Sequence, residues 1–127
     1  MMKKSGAALL LAALLLLGGC GDDAALEERI DMQVASIASA SSAVTSSSPG
    51  DYIAAERERY DEIVSLGEAA LPHLLNELRG AKGDSLEGWI RAKACEDILQ
   101  EESPVKSWST GGEWIRQYDE ARRKGRS

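Results

Sequence analysis

The chain has 127 residues with 21 acidic and 15 basic side chains, a formal charge of −6. Removing a leader that holds Lys3 and Lys4 leaves 13 basic side chains against the same 21 acidic ones, a charge of −8. That balance excludes phosphate-backbone binding, which needs clustered Lys and Arg to release counterions. The length leaves room for no more than one ordinary domain.

The first segment has the chemistry of an export signal. Met1 to Lys4 carry positive charge, Ala7 to Leu17 are apolar, and small residues precede Cys20. As a helix the apolar run would be about 16 Å long against roughly 30 Å of hydrocarbon, too short to span a bilayer. Leu17-Gly18-Gly19-Cys20 resembles the lipobox of bacterial lipoproteins. The resemblance implies cleavage before Cys20, a thioether-linked lipid on its thiol with acyl chains such as palmitate, and a protein held on the extracytoplasmic side of the cell membrane. Gly21 is not the Asp that resembles an inner-membrane retention signal, so outer-membrane sorting stays open in a two-membrane cell. With Cys20 lipidated, Cys95 is the one remaining thiol, and its neighbours Ala92, Ala94 and Ile98 mark it as an inert core residue.

Residues 20–50 read as a lipidated N-terminus, a short helix and a Ser-rich linker. Leu26, Ile30, Val34 and Ile37 recur at helical spacing, but polar flanks and missing caps predict a frayed, membrane-proximal helix. Six of the residues from Ser39 to Gly50 are Ser, Pro and Gly follow at 49 and 50, and a flexible spacer is expected.

A helical head is expected over 51–124. Tyr52, Ile53, Tyr60, Ile63, Val64 and Leu66 lie along one side of a first helix that Gly67 terminates. Leu71, Leu74, Leu75 and Leu78 give a second helix with Pro72 in its first turn. Ile90, Ala94 and Ile98 give a third, from Leu86 to about Glu101, stopped by Ser103-Pro104. Thr110 and Glu113 form a capping box before Trp114, Ile115 and Tyr118, and Arg122, Arg123 and Lys124 complement the dipole at the end of this fourth helix. The fold class is all-α, a small bundle of about four helices.

The stretch Leu66-Gly67-Glu68-Ala69-Ala70-Leu71-Pro72-His73-Leu74-Leu75 resembles the first helix of a HEAT-like repeat, and Ile90-Arg91, Ala94-Cys95 and Ile98-Leu99 resemble its second. The resemblance spans about Asp51 to Glu102 and implies paired helices that present a binding surface. It also implies a structural ion pair for Arg91, with Asp84 or a loop carbonyl as partner; a clamp on a ligand carboxylate is the alternative. A single repeat leaves an apolar face open, for which Trp108, Trp114, Ile115 and Tyr118 are the expected cover.

No residue set commits the head to a reaction. His73 is the only histidine, too few for a usual zinc site or a catalytic triad without further signals, so no metal, cofactor or enzymatic activity is expected. Glu96-Asp97 and Glu101-Glu102 point to different helix faces and read as solvated, with Glu96 and Gln100 marking an exposed contact face. Gly80, Gly83 and Gly88 have no preceding strand and punctuate turns. The expected function is therefore a membrane-anchored protein-interaction or scaffold module with a protein partner in the cell envelope; an envelope-sensing or small-ligand module is the alternative.

Overall fold

The computed structural model describes residues 23–43, 45–80 and 83–126. They form six α-helices: α1 over residues 23–38, α2 Pro49–Ala55, α3 Arg57–Ser65, α4 Leu71–Leu78, α5 Leu86–Leu99 and α6 Gly111–Arg126. Short 3-10 turns lie at Ser41–Ala43, Gly67–Ala69 and Gln100–Glu102, and no strand occurs among the described residues. The all-α expectation holds. The leader and Cys20 lie outside the described residues.

Helix α5 is the axis of the body and packs against α2, α3, α4 and α6. Its sequence explains this position. Ile90, Arg91, Ala92, Ala94 and Cys95 are buried on successive faces, and the small side chains among them let neighbouring helices approach closely. Ser85 caps its start, accepting a hydrogen bond from the Gly88 N–H at 3.1 Å. The Leu stripe of α4 faces it, with Leu74, Leu75 and Leu78 all buried. Gly67, at φ 62°, follows the end of α3 in the left-handed conformation that glycine adopts without strain.

Helix α6 closes the far side. Thr110 accepts from the Glu113 N–H at 3.1 Å, and Trp114 is fully buried, with its ring stacked on Tyr118 at 5.2 Å. Two glycines allow this helix to start where it does. A Cβ on Gly111 would collide with the Gly83 carbonyl oxygen, and one on Gly112 with Asp84 Oδ1.

Two expectations fail. The first helix of the head is two helices, because Glu56, at φ −124° and ψ 49°, leaves the helical region and separates α2 from α3. More consequentially, α1 is not a frayed helix outside the body. Ile30, Val34 and Ile37 are fully buried and belong to the same core as Tyr60, Leu74 and Trp114. The Ser-rich stretch is also partly built in, since Ala40 and Ala43 are buried and Ser46 Oγ donates to Asp51 at 2.5 Å. The packed unit therefore begins in the 20–50 segment rather than at residue 51. Single-helix propensity undervalued α1 because its stability comes from a tertiary face, not from its ends.

Candidate functional site

A cluster of five ionisable side chains lies where α1, α4 and α5 meet. His73 and Glu77 stand four residues apart on α4 and so share a face. That face meets Asp31 of α1, whose Oδ1 is 2.8 Å from His73 Nε2. Arg91 reaches the same oxygen from α5 through Nη2 at 3.4 Å and approaches Glu77 Oε1 at 3.8 Å. Glu27, one turn earlier on α1, stands 3.9 Å from His73 Nδ1.

This corrects the expected partner of Arg91. Asp84 lies on the exposed turn before α5, against the first turn of α6, and the carboxylate that reaches Arg91 is Asp31. Arg91 is 7% exposed, and its Nε is buried without a hydrogen-bond partner. A guanidinium so placed depends on the carboxylates at its Nη2 for compensation. Neither Asp31 nor Glu77 stood out as a site residue in the sequence. The available signal was positional: Asp31 adjoins Ile30 in the buried stripe of α1, and Glu77 follows His73 by one helical turn.

Asp31, His73 and Glu77 each offer a ligand atom, all within 4.8 Å of one another. With Glu27 near the other imidazole nitrogen, the set has the outline of a carboxylate-backed metal site. Arg91 decides against it. Its guanidinium already lies 3.4 to 3.8 Å from two of the three ligand oxygens, and a like charge at about 4 Å costs roughly 4 kcal/mol per unit of ion charge at an effective dielectric of 20. The cluster is an internal latch that ties α1 to α4 and α5.

Other polar residues singled out in the sequence also serve the packing. Glu96 accepts the indole N–H of Trp114 at 2.8 Å, and Asp97 accepts the Tyr60 hydroxyl and pairs with Lys93 at 3.2 Å. Neither is the freely solvated carboxylate that was expected, and the face carrying Glu96 is committed to α6. Burial, reinforced by the Asp97 bond, holds the Tyr60 phenol well above its ordinary range. Burial likewise pushes the Cys95 thiol up to about 12. It therefore stays protonated and unreactive at neutral pH.

At the surface, α4 and α6 frame an open groove of about 690 Å³ with Leu71, Leu75 and Tyr118 in its wall. Arg79 grips Asp119 across it through Nε at 3.0 Å and Nη2 at 2.7 Å. That bidentate bond holds the Asp119 carboxyl below, and the Arg79 guanidinium above, their ordinary ranges. Arg122 donates to the Tyr118 hydroxyl at 3.0 Å, and Lys124 pairs with Glu120 at 3.4 Å. No helix among the described residues is long and apolar enough to cross a membrane. Comparison with protein-family profiles, with curated proteins and with solved structures finds no match.

Proposed function

We propose that the chain is a lipid-anchored protein of the cell envelope whose helical body works by contact with a protein partner. The observation that carries this reading is the coincidence of a basic start, an eleven-residue apolar run and Leu17-Gly18-Gly19-Cys20. In the HEAT-like reading, α4 and α5 are the paired helices, and their packing against each other supports it. The body adds one feature to that pattern: the carboxylates beside Arg91 come from α1 and α4, Asp31 at 3.4 Å and Glu77 at 3.8 Å.

The position of α1 changes how the anchor would work. Only Gly21 and Asp22 separate Cys20 from the helix, and α1 is bound into the core. The body would sit against the bilayer surface rather than search on a long tether. The use of His73, Glu96, Asp97 and Arg91 in ties between helices favours a contact role over catalysis.

Metabolic fatty-acid labelling tests the anchor directly. Label on the parent and none on Cys20→Ser is the expected result, because processing and lipidation both use that thiol. Label that persists in Cys20→Ser, or is absent from the parent, overturns the anchor. Crosslinking of the native anchored protein then tests the partner, with Glu68→Lys, at an exposed position lining the α4–α6 groove, as the surface variant expected to abolish a specific protein adduct. His73→Ala is unsuitable for this purpose, since His73 belongs to the latch.

A further inference from the structure

The turn before α5 and the entries to α2 and α6 border an open cavity of about 330 Å³. Tyr52, Trp89 and Pro49 give it apolar walls, while Asp84, Ser109 and Thr110 line it with oxygen. Its volume is at the lower end of the range for small-molecule pockets. Trp89 is backed by Trp108, their rings 5.4 Å apart and tilted by 38°. The indole is therefore braced from within the body.

Charge narrows the ligand class. The N-terminal ends of α5 and α6 both face this region and would by themselves favour an anion, but Asp84 already supplies one. Its Oδ1 lies so close to the first turn of α6 that no Cβ fits at Gly112. An anionic ligand would meet that carboxylate as a like charge, and a cation would meet the positive helix ends. A neutral molecule with one apolar face and several hydroxyls meets neither penalty. Aromatic rings suit such a face, and a carboxylate can accept hydrogen bonds from two adjacent hydroxyls.

We infer that this cavity is a saccharide-binding site, in which Trp89 and Tyr52 receive the face of a neutral sugar ring and Asp84 accepts from its hydroxyls. The inference extends the proposed function, whose anchor gives the site its direction. Residue Glu27 lies beside His73 at the start of α4, and Arg122 and Arg123 share a groove with Leu71 and Pro72. The beginning of α1, the beginning of α4 and the end of α6 are therefore at one end of the bundle. Asp84 and Gly112 are at the other. With Cys20 in a membrane, the cavity lies at the end of the body away from the bilayer, on the side of envelope glycan.

The test uses the full-length lipidated protein in detergent micelles, with nitrogen-15 in its indoles. An N-acetylglucosamine tetrasaccharide and a neutral glucose tetrasaccharide are titrated separately. A saturable shift of the Trp89 indole resonance with either sugar, weakened at least about tenfold in Asp84→Asn, is the expected result. Ser47→Trp, at an exposed position on the cavity rim, is expected to block the shift while leaving the melting curve of the parent. No Trp89 shift with either sugar at millimolar concentration overturns the site. So does binding by Ser47→Trp with the affinity of the parent. The Cys20→Ser protein binding sugar as the parent does would show that the site stands even where the anchor reading fails.

Discussion

Arg91 shows how one residue can bind three helices. Its guanidinium is almost fully enclosed, and the carboxylates near Nη2 come from α1 and α4. Removing one partner of such a group is more damaging than replacing the whole interaction, because the survivor is left buried and uncompensated. Asp31→Ala is therefore expected to destabilise the body by about 2 to 3 kcal/mol, a figure kept below the fully buried range because the Asp31 side chain is 40% exposed. Arg91→Met, which keeps volume and removes the charge, is expected to cost less than Asp31→Ala, and the double variant no more than Arg91→Met alone. Urea unfolding of the four proteins measures this cycle, and strictly additive losses would show that the latch does not exist.

Among the elements, the α4–α6 contact carries a tie whose pH dependence can be stated in advance. Asp119 is held below its ordinary range by the Arg79 hydrogen bonds. The contribution is fully present above the unfolded carboxylate value of about 3.9. It declines as pH falls through the folded value, when the unfolded chain has already taken up its proton. The pair is partly exposed, 45% and 33% at the two side chains, so about 1 kcal/mol or less is at stake. Asp119→Asn is expected to lower stability at neutral pH and to flatten the acid limb of the stability profile below about pH 4. Thermal melts at closely spaced pH values check this, and an acid limb identical to that of the parent would remove the tie. Salt should weaken the effect, since both groups touch solvent.

Across the whole molecule, the question is where the folded body begins. A boundary at residue 51 makes the segment before it dispensable, whereas the structure buries Ile30, Val34 and Ile37 completely. Ile37→Ala is expected to destabilise the entire body by about 2 to 5 kcal/mol, in the range of other large-to-small core changes. The loss should appear in a single cooperative transition reported by the tryptophans, all of which lie in the other half of the sequence. If α1 unfolded alone, circular dichroism would change before tryptophan emission, and the single-body description would fail. A small core cannot spare such a face, because domains of this size bury a limited fraction of their surface.

The sequence by itself determined the parts whose causes are local. Helical periodicity placed the Leu stripe of α4, Gly67 ended α3, Thr110 capped α6, and Ala-rich neighbours put Cys95 inside. Each of these rests on residues within a turn or two of one another. The tertiary structure alone decided which surfaces close the core and which charges meet. Asp31 and Arg91 are 60 residues apart, and Glu96 binds a tryptophan on the next helix. The HEAT-like resemblance implies Asp84 as the partner of Arg91, whereas the packing of α1 brings Asp31 to it from outside the residues that the resemblance spans. The same holds for α1: its stripe was visible, but its weak ends suggested fraying, and only packing against α3, α4 and α5 supplies the burial that fixes a helix without strong caps.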